Sequence, residues 1–130
     1  MPELQTVDVS SNDLYGVKGV KVLCTLLDVV PGLTHLHVGN NSLWEDTALL
    51  APALRCLTCL RVLNMSIVRI GDKDMDALAP ALAALPHLHT LDVSRNHPSW
   101  LLGRSRCCSW VRARSAEARA AVPWRFNLQC

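Results

Sequence analysis

Leu4, Leu33, Leu60 and Leu88 each open a phrase of the same design, at separations of 29, 27 and 28 residues. The phrases read Leu4-Gln-Thr-Val-Asp-Val-Ser-Ser-Asn12, Leu33-Thr-His-Leu-His-Val-Gly-Asn-Asn41, Leu60-Arg-Val-Leu-Asn-Met-Ser-Ile-Val68 and Leu88-His-Thr-Leu-Asp-Val-Ser-Arg-Asn96. Aliphatic residues hold the first, fourth and sixth places, and Asn closes three of the four phrases. A second echo follows them: Leu50-Ala-Pro-Ala-Leu54 and Leu78-Ala-Pro-Ala-Leu82 are identical and 28 residues apart. A period of this length leaves few folds open. Each unit has room for about one strand and one helix, cannot bury its apolar face alone, and must stack on its neighbours.

Apolar side chains at the fourth and sixth places point to one side of an extended chain, because strand side chains alternate with a period of two. Short parallel strands are therefore expected near 6–9, 35–38, 62–65 and 90–93. Leu14, Leu43 and Ile70 then turn the chain back over the core. Leu54 and Leu57, like Leu78, Leu82 and Leu85, recur at helical spacing and can close the far side. Helices are expected at about 17–29, 46–58 and 73–85. Pro52 and Pro80 have no donor N–H, so each should lie early in its helix or kink it. The turn asparagines Asn12, Asn41 and Asn96 suit a bend, since a short amide can bond backbone groups that the bend leaves unpaired. Stacked copies would form a ladder of such bonds. Val68 stands where the third phrase should have Asn, so a weaker rung is expected there.

These phrases resemble the L-x-x-L-x-L-x-x-N-x-L segment of leucine-rich repeats, and the long period is similar to that of the ribonuclease-inhibitor-like subclass. The stretch Ile70-Gly-Asp-Lys-Asp-Met-Asp-Ala-Leu-Ala-Pro-Ala-Leu82 resembles that subclass's convex helix and its approach. The resemblance covers about residues 3–97, three full repeats and the opening of a fourth. It implies an α/β leucine-rich-repeat solenoid, a short horseshoe arc with parallel strands on the concave face and helices on the convex face. Such arrays serve as inhibitors, scaffolds, sensing parts of receptors and regulators of small GTPases. The resemblance thus implies a non-enzymatic protein–protein interaction module whose protein partner it does not name.

Strand residues that do not point inward make up the concave face, which is the candidate binding surface. The first two phrases contribute Thr6, Asp8, Ser10, His35, His37 and Asn40. The third and fourth contribute Asn64, Ser66, Thr90, Asp92 and Arg95. Adjacent strands lie ~4.8 Å apart, so Asp8, His37, Asn64 and Asp92 should form one polar row. The same residues also suit a merely solvated strand face.

Other chemistries find less support. His35, His37 and Asp8 carry metal-ligating groups, but a flat strand face seldom converges its ligands and no fourth donor has suitable spacing. His37 with Asp8 also lacks a nucleophile or enclosing pocket for acid–base work. Cys56 and Cys59 form a single C-x-x-C pair, at a place where the next unit has Ala84, so packing is the favoured role. No phosphate-binding glycine loop and no catalytic serine or cysteine motif is present. No cofactor, metal or catalytic residue is expected.

Residues 1–97 carry seven Lys and Arg against ten Asp and Glu, whereas residues 98–130 carry six Arg against Glu117 alone. The repeat stops at Pro98, and a basic, Arg/Trp-rich, irregular or partly helical tail is expected for 98–130. Three readings of the tail stay open. In one, Trp100, Leu101 and Leu102 lie over the end of the stack. In another, Arg and Trp contact nucleic acid or an anionic membrane. In the third, the tail is sequence acquired when a longer repeat protein was truncated. The front of the stack has no capping unit, so self-association through exposed ends, or membership of a larger array, is a further expectation. No apolar run reaches the ~18–20 residues a membrane span needs. The opening residues lack the form of a secretory signal, which points to the cytoplasm.

Overall fold

The computed structural model describes residues 4–96 and 125–127. It is an α/β structure in which strands and helices alternate. The order is β1 (Thr6–Asp8), α1 (Gly16–Asp28), β2 (His35–His37), a 3-10 helix (Trp44–Leu50), α2 (Ala51–Arg55), β3 (Val62–Asn64), α3 (Asp72–Ala83), β4 (Thr90–Asp92) and β5 (Arg125–Asn127). The strands form one sheet in chain order, β1-β2-β3-β4-β5, and every neighbouring pair is parallel. A parallel neighbour needs a crossover. The helical segments supply it between the first four strands.

The strands start where the apolar alternation puts them, each one residue shorter than expected at its C-terminal end. The core lies between the sheet and the helices. Leu33, Leu36 and Val38 are buried, as are Leu60, Leu63, Met65, Leu88, Leu91 and Val93. From the helical side Leu23, Leu27, Leu54, Leu57, Leu78, Leu82 and Leu85 complete it. Each fully buried leucine contributes about 1.5–3 kcal/mol relative to an exposed one, so the repeated leucines are the main cohesive force. Leu4 is the exception. It heads the first phrase and is 38% exposed.

The second helical segment departs from the expected single helix over 46–58. It is a 3-10 helix that passes into only five residues of α-helix. Pro52 leaves the Ala48 carbonyl without an α-helical donor, and the Ala51 N–H takes that carbonyl in the 3-10 pattern. Pro52 is not sufficient for the break, because Pro80, in the identical pentapeptide, lies inside α3, near its end. Asp74 begins that helix by accepting the Gly71 N–H at 3.2 Å.

Gly19 closes the first turn of α1, where alanine has the higher helix propensity. A Cβ there would come within 2.9 Å of the Leu14 backbone carbon. The missing side chain is what lets α1 lie down on the turn that precedes it.

β5 falls in the segment read from sequence as an irregular or partly helical tail. Its three residues extend the sheet, with Arg125, Phe126 and Asn127 beside Thr90, Leu91 and Asp92. The remainder of that segment, including Trp100, Leu101 and Leu102, lies outside the described residues.

Candidate concave strand face

The sheet register decides which side chains share a row. One row runs Thr6, His35, Val62, Thr90 and the next runs Asp8, His37, Asn64, Asp92. The four residues expected to form a polar row thus lie side by side. In the backbone register Arg125 pairs with Thr90 and Asn127 with Asp92. Asp8 and Thr6 are exposed, while His35, His37, Asn64, Thr90 and Asp92 are half-buried.

Three members of the second row are engaged by their own turns. Asp8 accepts the Ser10 N–H at 2.9 Å. Asn64 accepts the Ser66 N–H at 3.0 Å and its hydroxyl at 2.8 Å. Asp92 accepts the Ser94 N–H at 2.9 Å and its hydroxyl at 2.6 Å. The fifth and seventh places therefore act as a pair that fixes the strand exit, an Asx turn in each case. Ser10 and Ser66, expected as binding groups, serve this turn. So does Ser94. The bond from Ser10 and the nearby His37 hold the Asp8 carboxyl below the usual aspartate range.

The second unit breaks this pattern, with His37 and Gly39 in place of the acid or amide and the serine. Gly39 is buried under the third unit: a Cβ there would meet Asn64 Oδ1 and Ser66 Oγ, each at 3.0 Å. His37 is consequently the one member of the row with no seventh-place serine beside it.

Thr34 Oγ1 lies 2.9 Å from the Gln5 carbonyl oxygen and 2.8 Å from His35 Nδ1, which fixes the position of the ring at the strand start. No group of three or more His, Cys, Asp or Glu side chains arranged to hold a metal ion occurs among the described residues.

The asparagines bind units to one another. Asn41 Oδ1 accepts the Asn12 and Leu14 N–H groups at 3.1 and 3.0 Å, and Nδ2 donates to the Val9 and Val38 carbonyls at 3.0 and 2.9 Å. Asn96 repeats this on the Val68 and Ile70 N–H groups and the Met65 and Val93 carbonyls. Asn12 Nδ2 donates within its own turn, to the Ser10 carbonyl at 3.0 Å. At Val68 the rung is missing. It offers no acceptor to the Asn41 and Leu43 N–H groups, which hold the corresponding places in the second unit.

The eighth place has its own signature. Ser11, Asn40, Ile67 and Arg95 all have φ between 54° and 56°, in the left-handed region. That suits Asn40, whose Nδ2 donates to Ser11 Oγ at 2.9 Å. It does not suit Ile67, whose branched Cβ makes this conformation costly.

No helix among the described residues is long and apolar enough to cross a membrane. No protein-family model matches the chain.

Proposed function

We propose that the chain is a leucine-rich-repeat solenoid of the ribonuclease-inhibitor-like kind and that it binds another protein on the exposed face of its sheet. The single observation that carries this reading is the in-register row Asp8, His37, Asn64, Asp92. A repeat that recurs in phase with its sheet produces aligned rows of side chains, and the amide ladder holds those rows rigid. Preorganised rows lose little freedom on binding, which favours recognition of a folded or extended protein surface. The groups best placed to contact a partner are those the turns leave available: Thr6, His35, His37, Asn40, Thr90 and Arg95.

Affinity capture tests this with two variants. One replaces His37, Thr90 and Arg95 by Ala, and the other replaces Lys21 and Thr25 on the exposed side of α1. Proteins retained by the wild type should be lost with the first variant and kept with the second. Capture insensitive to the strand-face substitutions would overturn the proposal.

A further inference from the structure

Cys56 and Cys59 do not take the packing role expected of them. Both are exposed, and both are free thiols. The backbone explains the exposure. Cys56 ends α2, with its N–H on the Ala53 carbonyl. The next turn bonds run from Leu57 to Leu54 and from Leu60 to Leu57. Leu57 and Leu60 are fully buried and anchor this turn in the core, while Thr58 and the two cysteines stay on the outside. One short, anchored turn thus presents two sulfur atoms to solvent. Cys56 Sγ makes a single weak bond, to the Pro52 carbonyl at 3.6 Å.

C-x-x-C is the spacing with which one turn supplies two adjacent corners of a tetrahedral zinc ion, at Zn–S distances of about 2.3 Å. The other two corners have to come from elsewhere. Among the described residues no three His, Cys, Asp or Glu side chains are grouped to hold a metal ion. His87 stands at the place of Cys59 in the next unit, one residue before the opening leucine, and forms no such group with the pair.

We propose that Cys56 and Cys59 are half of a zinc site, and that a second copy of the chain supplies the other half across a two-fold axis. Two thiolates from each copy fill the tetrahedron and leave no ligand over. A zinc ion held by four thiolates carries net negative charge. Arg55 and Arg61, exposed and flanking the pair on each copy, offset that charge. The neighbouring turns present Val29 and Pro31 on one side and Ala84 and Pro86 on the other, all exposed and uncharged. The ionisable groups of those turns, Asp28 and His87, do not repel each other. A second copy therefore approaches without like charges in opposition, and an isologous contact closes at two copies. Each thiol gives up its proton to solvent as it ligates, so uptake strengthens as pH rises.

Cobalt titration of the whole chain, kept reduced with a phosphine, tests this. Four-thiolate cobalt shows a sulfur-to-metal charge-transfer band together with intense tetrahedral d–d bands. Saturation is expected at one ion for each pair of chains, and zinc should produce a dimer in sedimentation velocity that a chelator dissolves. Cys56→Ser and Cys59→Ser should each weaken metal binding by more than about a hundredfold, because changes outside the ligand shell alone cost about 10–100-fold. Replacing Cys107, Cys108 and Cys130 with serine should leave binding and dimer unchanged. In the wild type, zinc should slow alkylation of the tryptic peptide 56–61 at least about tenfold, since the free thiolate is the nucleophile. Absence of uptake, one ion bound to each monomer, or an unprotected 56–61 peptide would overturn the proposal. So would binding that survives Cys56→Ser or Cys59→Ser, or that is lost with the other three cysteines.

Discussion

Putting an amide into a fully buried position ordinarily destabilises a protein, yet Val68→Asn is expected to stabilise this one. The new Oδ1 would stand where Asn41 and Asn96 hold theirs, and would accept the Asn41 and Leu43 N–H groups. Both residues are buried, and satisfying a buried donor is worth about 1–1.5 kcal/mol, or about 2–3 kcal/mol for the pair. The new Nδ2 would reach the Val38 and Met65 carbonyls, as its counterparts reach Val9 with Val38 and Met65 with Val93. Against this stands the loss of the buried isopropyl group, about 1.5–2 kcal/mol. The net gain is about 1 kcal/mol, or about 4–8 °C in Tm for a domain of this size. Urea and thermal unfolding followed by far-UV circular dichroism, at one fixed protein concentration, would measure it. The reciprocal change, Asn41→Val, leaves Asn12 and Leu14 without their acceptor and should cost about 2–4 kcal/mol. A Val68→Asn protein less stable than the wild type would refute the ladder argument, because it would show that the position behaves as ordinary apolar core.

Ile67→Asn should stabilise by about 1 kcal/mol by relieving a branched side chain from the left-handed region, read as a higher urea midpoint with an unchanged slope. Gly19→Ala should destabilise by about 1–3 kcal/mol through the clash with Leu14, although helix propensity alone predicts a gain; a more stable variant would refute the close approach of helix and turn. The lowered folded-state pKa of Asp8 means that its contribution is complete above the unfolded value near 3.8 and fades as pH falls through the folded one. Asp8→Asn should therefore flatten the acid limb of the stability profile below about pH 4, and an unchanged limb would show that the Ser10 bond has no energetic consequence.

The strands were legible in the sequence because burial of every second side chain is a local demand that leucine and valine meet visibly. The row of Asp8, His37, Asn64 and Asp92 followed from the same phase. What the phrases did not reveal was how far that row is used internally: the bonds to Ser10, Ser66 and Ser94 depend on turn geometry, not on residue type. The 3-10 segment Trp44–Leu50 was not legible, because Pro52 stands in the same pentapeptide as Pro80 of α3 and Leu54 and Leu57 keep helical spacing. β5 was missed since it lies well beyond the 27–29-residue period. Its signal was present in Phe126 and Leu128, two residues apart like the fourth and sixth places of the other phrases.

The left-handed turns at Ser11, Asn40, Ile67 and Arg95 have a consequence for how such a chain changes over time. Four chemically unrelated side chains occupy one backbone conformation, which means that neighbouring contacts impose it and the residue itself does not. Identity at this row is thus decoupled from architecture. A polar, amide, aliphatic or cationic group can be exchanged there at a cost of about 1–2 kcal/mol at most, and always at the same height above the sheet. The rim works as a line of interchangeable letters on a fixed page, where new specificity can be written before the scaffold has to answer for it.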